Sequence, residues 1–250
     1  MPKEIRRNLS YTGEIEGLLD VSGHVYNKVT VIGDLATIGN IDCNRLSIIG
    51  SFRDEGTLKT AQGTITGKAS VNGVDSAQLK INGHLDVNSD ARVKKLVIRG
   101  EMTVKGSIAA EKIDLLGDMD VKEDCTSETF LSRGLFTIGG LLNADRIDIR
   151  LSGNCKVKEI GGETIRIKRT SWALFNQILK YIVPRSGFDG RLTTDVIEGD
   201  DIYVEYTAAK TIRGNRVKIG KGCDIGLVEY KDSFEQDNDS QIKEHVKTVI

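Results

Sequence analysis

A glycine recurs at nearly constant spacing through the first half of the chain, and this period constrains the fold more than any other feature. Successive members of the series lie roughly 17 residues apart, a period within the range of known repeat architectures. The series is Gly33, Gly50, Gly67, Gly83, Gly100, Gly117 and Gly134. Between the glycines, apolar and polar residues alternate, as in Glu101–Gly117, EMTVKGSIAAEKIDLLG. A fixed period indicates a repeat architecture, and alternation with a period of two indicates strands.

One period has room for only two or three short strands and their corners, so it cannot form a sheet by itself. It can form one coil of a parallel β-helix, in which equivalent residues of successive coils stack about 4.8 Å apart. The alternative is a string of hairpins, which would place Asn-Gly or Asp-Gly at intervals of about 8–12 residues. Asn72-Gly73 and Asn82-Gly83 occur, but coils explain the period better. The sequence therefore predicts an all-β, parallel β-solenoid with one coil to each glycine period.

The repeat pattern divides the chain into five segments. Residues 1–10 are polar and basic, and we expect them to be flexible. Solenoid coils follow over 11–169, interrupted by an amphipathic helical insertion over 170–186. The apolar rungs resume over 187–230 as further coils, and 231–250 reads as a polar C-terminal tail. The prediction is thus one solenoid with one short helix and two loose ends.

The inserted segment, TSWALFNQILKYIVP, has helical periodicity and contains the only tryptophan of the chain. Thr170 can cap its start and Pro184 ends it. Its apolar stripe includes Trp172, Phe175 and Leu179. We predict that these three residues contact a partner protein or lie in a membrane surface; packing against the solenoid is the alternative. A helix of this length is too short to span a bilayer.

Composition narrows the function. The formal net charge is −1, which gives no overall field that favours nucleic acid. The start lacks the apolar core of a signal peptide, and no apolar run could span a bilayer, so we expect a cytoplasmic protein. The four cysteines are widely separated and form no CxxC pair, which favours reduced thiols in the core over a disulfide or a metal site. We predict no cofactor and no metal.

An enzyme is the leading alternative, since several β-helix proteins cleave polysaccharides. Asp20, Asp86 and Asp120 are predicted to share an outward register, and Asp86 and Asp120 would lie about 9.6 Å apart, within the range for inverting glycosidases. The coils, however, have almost no insertions that could form a cleft. None of the three histidines has an evident acid partner, and the phosphate-loop spacing is absent. We predict a solvated face and no catalytic residue.

The ends of a solenoid are the more promising functional feature. An uncapped end coil has unpaired backbone groups, which a second copy can pair by stacking on it. An end-to-end contact that repeats along one axis cannot close into a ring and gives a filament. Leu19 and Val21, with Val217 and Ile219, are the predicted contact residues in the terminal coils. The alternative is an adaptor whose tail caps one end and prevents polymerisation.

The glycine and aliphatic spacing, as in GEMTVKGSI (Gly100–Ile108) and GDLATIGNI (Gly33–Ile41), resembles the bactofilins, polymer-forming cytoskeletal proteins of bacteria. The stretch Val196–Tyr230 is also similar to longer bactofilin-like proteins of Gram-positive bacteria, and the resemblance covers about 11–230. It implies a right-handed β-helix, nucleotide-independent assembly into non-polar filaments, and a scaffold role in cell shape, envelope growth, polar organisation or motility. Expected partners are further copies, a paralogue, and an envelope or motility protein or membrane surface; neither nucleic acid nor a small-molecule substrate is expected.

Overall fold

A computed structural model of the chain describes residues 7–14, 18–21, 24–169 and 190–248. These residues form an all-β, parallel β-solenoid of about 13 turns of about 17 residues, which confirms the predicted fold class. The described elements are all strands. The predicted helix, with Trp172, Phe175 and Leu179, lies outside the described residues. The chain divides into two compact units, which we call unit 1, Met1–Lys122, and unit 2, Glu123–Ile250.

The described residues of unit 1 form eleven strands. They are β1 (Arg7–Glu14), β2 (Leu19–Asp20), β3 (Val25–Ile38), β4 (Ile41–Asp54), β5 (Thr57–Val71), β6 (Gly73–Ile81), β7 (His84–Val87), β8 (Ala91–Ile98), β9 (Glu101–Val104), β10 (Ile108–Leu115) and β11 (Asp118–Val121). Each coil turns three pairs of side chains inward, because successive residues of a strand point to opposite faces. In one coil these pairs are Leu85 and Val87, Ala91 and Val93, and Leu96 and Ile98, all of them buried.

The stacking of unit 1 follows the columns that the sequence predicts. Leu96 of β8 pairs in register with Leu79 of β6 and Ile113 of β10, and all three are at most 1% exposed. The glycine column forms one corner of the coils. A Cβ atom on Gly117 would lie 1.8 Å from the carbonyl oxygen of Gly100, so only glycine permits this approach of two backbones.

In unit 2, the described ranges 123–169 and 190–248 form seven further strands. They are β12 (Cys125–Ser132), β13 (Leu135–Leu151), β14 (Cys155–Arg169), β15 (Leu192–Val204), β16 (Thr207–Ile219), β17 (Asp224–Gln236) and β18 (Gln241–Lys247). Their coils are less regular than those of unit 1. The column from Ile202 continues to Val217 and then to Phe234, so the first of these two coils is shorter than the second. The register shifts beside Gly214 in the pairing of β16 with β17.

Polar residues enter the core of both units at a few positions. In unit 1, the Thr37 hydroxyl donates a 2.8 Å hydrogen bond to Asp54 Oδ1, and both residues are at most 3% exposed. Asp54 Oδ2 has no hydrogen-bond partner. Burial raises the pKa of Asp54, against the opposing effect of the Thr37 hydrogen bond. All four cysteines are free and buried, as predicted.

Both predicted loose ends contain strand. β1 begins at Arg7, within the segment that we expected to be flexible, and pairs with β3. The predicted tail, 231–250, includes the end of β17 and all of β18. Polar composition misled the prediction because an end coil is covered on one side only, so its outward and inward positions can both carry polar residues.

Candidate assembly surfaces

The first coil of unit 1, formed by β1 and β2, presents an open apolar layer. Leu9 and Tyr11 of β1 lie in register with Val29 and Val31 of β3. Both valines are fully buried, whereas Leu9 and Tyr11 are only half-buried. No described strand pairs with the opposite edge of β1. This coil therefore offers an unpaired backbone edge beside half-exposed apolar side chains.

Leu19 and Val21, the predicted contact residues at this end, differ in accessibility. Leu19 is half-buried, whereas Val21 is 1% exposed. Leu19 pairs in register with Thr37, 18 residues further along the chain. The step from Leu19 to the next coil is thus longer than the glycine period, which the regular repeat could not reveal. Leu19 remains in the first coil and can contribute to a contact, whereas Val21 is already covered.

Val217 and Ile219 do not lie in an end coil, and the prediction that placed them there is wrong. β16 lies between β15 and β17, and Val217 and Ile219 pair in register with Phe234 and Gln236 of β17. Both residues are at most 2% exposed. The sequence did contain a signal for the missing coil, since Ile242 follows Ile225 after one glycine period. The polar residues around Ile242 obscured it.

The last coil of unit 2 comprises residues 234–248. β18 pairs with β17 along one edge, with Ile242 in register with Ile225 and His245 in register with Val228. No described strand covers its other edge. The residues of β18 are exposed apart from Ile242, which is half-buried. This coil, rather than Val217 and Ile219, forms the end surface of unit 2.

The outward aspartate column is only partly as predicted. Asp86 and Asp120 both pair in register with Thr103, so they are two coils apart. Asp20 pairs in register with Ile38, outside this column, so its predicted place is wrong. Each of the two remaining carboxylates is in contact with a basic side chain. Asp86 contacts His84 at 3.0 Å, and Asp120 contacts Lys122 at 2.8 Å.

His84 lies between two carboxylates, a partnership that sequence reasoning missed. Its Nε2 is 3.0 Å from Asp86 Oδ1, and its Nδ1 is 3.0 Å from Glu101 Oε2. Partial burial lowers the pKa of His84, but the hydrogen bonds and charges of Glu101 and Asp86 outweigh it, and the pKa is raised overall. Burial and the charge of Glu101 raise the pKa of Asp118. Two spacings could have revealed this group: alternate positions of one strand, which bring Asp86 to His84, and one coil period, which brings Glu101 to it.

Unit 2 has a shallow groove of about 680 Å³ along one corner of its coils. Gly162, Gly199 and Gly214 lie in successive coils at this corner and line the groove, together with the Arg213–Glu229 ion pair. Its carboxylates are mainly paired or solvated, and nothing in it points to a bound group. In the described part of the chain, no three His, Cys, Asp or Glu residues are arranged to hold a metal ion.

Arg169 and Gly190, the residues that border the undescribed range 170–189, are held together at one corner of unit 2. The Arg169 guanidinium donates hydrogen bonds to the Gly190 carbonyl and lies over the Tyr206 ring, 3.3 Å from its centroid. Tyr206 has a φ of 48°, a left-handed conformation that is uncommon for tyrosine. The two residues that border the range are thus held in place by contacts with each other and with Tyr206. Across the described ranges, no helix is long and apolar enough to cross a membrane.

Comparison with known proteins gives two partial relatives. YhbF of Bacillus subtilis (strain 168), described as uncharacterized, is 45% identical over 91 residues, which are 36% of this chain and 34% of YhbF. YhbE of the same organism, also described as uncharacterized, is 43% identical over 56 residues, 22% of this chain and 24% of YhbE. The matches thus cover about a third and about a quarter of these relatives. No family model matches the chain, and no solved structure matches it.

Proposed function

We propose that this chain is a non-catalytic structural protein of the bacterial cytoplasm that associates with itself end to end. The first coil of unit 1 is the contact surface, and its partner is a second copy or a paralogue. Assemblies built in this way act as a scaffold for cell shape, the envelope or the motility machinery, without nucleotide. The observation that carries the proposal is the open apolar layer of β1 and β2.

The first coil favours self-association for two physical reasons. Its outer edge has backbone N–H and C=O groups that a second β1 edge can pair. Stacking also covers Leu9, Tyr11 and Leu19, which are half-exposed in the free chain. Covering the exposed half of each side chain contributes about 1 kcal/mol. Three such residues, with the hydrogen bonds of a strand pair, are sufficient for a reversible contact.

An amide ladder supports the same surface. Asn44 Nδ2 donates to Asn27 Oδ1, and Asn27 Nδ2 donates to Asn8 Oδ1, each at a distance of 3.3 Å. The ladder climbs one coil at a time and reaches the first coil at Asn8. Because such a ladder has the coil spacing, a second copy stacked on β1 can add a further polar partner to it.

The test compares two substitutions in β1. Leu9→Lys places a charge in the apolar layer, whereas Ser10→Lys, the matched control, places it on the exposed outward face of the same strand. We expect wild type and Ser10→Lys to sediment as pairs or larger species, and Leu9→Lys as a monomer, in analytical ultracentrifugation without nucleotide. Melting curves verify that both variants fold. A wild-type monomer at all concentrations, or equal behaviour of the two variants, would refute the proposal.

A further inference from the structure

We infer that the last coil of unit 2 is a polar cap, which prevents stacking at this end and limits assembly through the first coil to pairs. The inference rests on the proposed function, since it specifies which end of the chain takes part in self-association. It differs from the filament expectation, because a filament needs a second contact surface on every copy. None of the contact residues predicted from the sequence lies in this coil.

The polarity of the inward positions changes abruptly at this coil. The layer beneath it is apolar or aromatic, with Cys223, Ile225 and Val228 at most 3% exposed. The positions that continue these columns are Ser240, Ile242, His245, Lys247, Phe234 and Gln236. Four of these six are polar or charged. In the first coil of unit 1, by contrast, Leu9, Tyr11, Leu19 and Val21 are apolar or aromatic, and Arg7, in register with the buried Tyr26, is the charged exception.

The polar groups of the cap bond within it or to the coil beneath. Ser240 Oγ donates to the Gly220 carbonyl at 2.5 Å and accepts from the Cys223 backbone N–H at 3.0 Å. Gln236 Nε2 donates to the Ser240 carbonyl at 2.9 Å. The coil beneath thus gains partners for its backbone from the cap itself, and these groups need no second copy to satisfy them.

Phe234, the largest apolar side chain among these six positions of the cap, already packs against other rings. The His245 ring stacks on the Phe234 ring with centroids 5.0 Å apart, and Phe234 stacks on Tyr230 at 5.3 Å. The Phe234 ring therefore already has an aromatic partner in its own coil and another in the coil beneath. Amphipathic rings such as that of His245 present an apolar body to the core and a polar edge to water.

Stacking a second copy here would remove His245 and Lys247, which are exposed in the free chain, from water without giving them partners. Burying an unpaired polar group is unfavourable, and burying an unpaired ammonium is more so. Only Ile242 and the remainder of Phe234 would gain apolar contact. By the same reasoning, stacking a second copy on the first coil of unit 1 is favourable, because it covers mainly apolar side chains. Polar terminal repeats of this kind keep solenoid proteins soluble.

The test opens the cap in the full-length chain. The cap variant carries Gln236→Val, His245→Leu and Lys247→Val, which extend the apolar columns by one layer. The control carries Gln241→Val, Lys243→Val and Glu244→Leu at outward positions of the same coil. We expect wild type and control to form nothing larger than pairs in ultracentrifugation and negative-stain microscopy. The cap variant should at least double the weight-average mass and form rows of particles.

A cross with Leu9→Lys separates this inference from the proposed function. Adding Leu9→Lys to the cap variant should reduce it to pairs that are joined at the opened end. If wild type and Leu9→Lys are both monomers, the proposed function fails. The cap inference then stands only if the cap variant still forms pairs. Wild-type filaments, or a folded cap variant with the mass of wild type, overturn the cap. If the triple variant does not fold, Lys247→Val alone decides by the same criterion.

Discussion

Units 1 and 2 are built from the same kind of coil, but the close glycine contact between adjacent coils is continuous in unit 1 and widens at one position of unit 2. In unit 1 a column of glycines brings the backbones together at every coil, and a Cβ atom on any of them would lie 1.8–2.3 Å from the carbonyl oxygen of the preceding coil. These are Gly33, Gly50, Gly67, Gly83, Gly100 and Gly117. In unit 2 the corresponding distance is 2.2 Å at Gly162 and 2.3 Å at Gly199 but widens to 2.8 Å at Gly214, beside which ion pairs such as Arg213–Glu229 and Arg216–Asp201 join adjacent coils.

This difference shows what the glycine period represents. Where backbones touch at consecutive glycines, as from Gly33 to Gly117, each coil returns to the same point after 16 or 17 residues. Where side chains connect the coils, the length can change, and a shorter coil, such as that from Ile202 to Val217, is accommodated. Backbone contact therefore gives regularity, and side-chain contact permits variation. Four substitutions test this comparison.

The largest expected effect is that of Gly100→Ala in unit 1. The new Cβ atom would lie 1.9 Å from the Gly83 carbonyl oxygen, and neither backbone can move without disturbing the coils on both sides. We expect a loss of about 3 kcal/mol or more in the free energy of unfolding. Hydrogen exchange of the unit 1 amides, with urea unfolding, measures it. Gly73→Ala is the control, because its Cβ atom would meet only side-chain hydroxyls at 3.2 and 3.3 Å; an equal loss there would refute the explanation.

Gly214→Ala in unit 2 should be less harmful. Its Cβ atom would lie 2.8 Å from the Gly199 carbonyl oxygen and 3.0 Å from methyl groups of Ile202 and Val217, which can shift. Overpacking of this kind costs about 1–3 kcal/mol. Hydrogen exchange of the unit 2 amides measures the loss. A loss larger than that of Gly100→Ala would contradict the idea that unit 2 tolerates variation at its corners.

Asp54→Val should stabilise unit 1, because it removes a buried carboxylate from that unit's core. The column continues through Val71 and Val87, and the buried Asp54 Oδ2 has no partner. We expect a gain of about 1–2 kcal/mol at neutral pH. Because burial raises the folded-state pKa of Asp54, protonation favours the folded state, so the gain should be largest above that pKa, should shrink as the pH falls through it, and should level off below the unfolded value of about 4.

Asp54→Asn is the matched control for this prediction, since it keeps the size and the Thr37 contact but cannot ionise. Its stability relative to Asp54→Val should not change with pH in the acidic range. Urea unfolding at neutral and acidic pH measures both variants. If Asp54→Val destabilises unit 1 at neutral pH, the carboxylate has partners that the structure does not show, and the interpretation is wrong.

Much of unit 1 could be predicted from the sequence, and the reason is the backbone contact at its glycines. A column such as Leu79, Leu96 and Ile113 is readable because a fixed coil length turns sequence spacing into stacking. The same logic failed at Leu19, where the step to Thr37 is longer than the period. In unit 2 the polar residues around Ile242 concealed the last coil, although Ile242 follows Ile225 after one glycine period. Consequently, Val217 and Ile219 were assigned to an end although β17 covers them.

The candidate surfaces were less predictable than the fold, because they depend on pairs of residues from different coils. The Asp86–His84–Glu101 group joins two strands, and neither strand alone indicates a histidine between two carboxylates. Polarity at an inward position, as at His245, has no distinct signal in a sequence whose outward positions are also polar. Only the register shows that it lies at the end of an apolar column.

The smallest expected effect concerns His84, which connects coils of unit 1 in a way that depends on pH. The ion pairs of unit 2 involve Arg213 and Arg216, whose charge persists at neutral pH. The folded-state pKa of His84 is raised by its two carboxylates, so its contribution is fully present below the unfolded value of about 6.5 and is lost as the pH rises through the folded value. Because the ring is partly exposed, we expect a contribution of less than about 1 kcal/mol to the free energy of unfolding.

The test is an NMR titration of the His84 ring, whose pKa should lie above about 6.5. Asp86→Asn should lower this pKa. Asp120→Asn is the control and should leave it unchanged, because the Asp120 carboxylate contacts Lys122. Equal shifts in the two variants would mean that the general charge of this face, not the direct contact with Asp86, sets the pKa of His84.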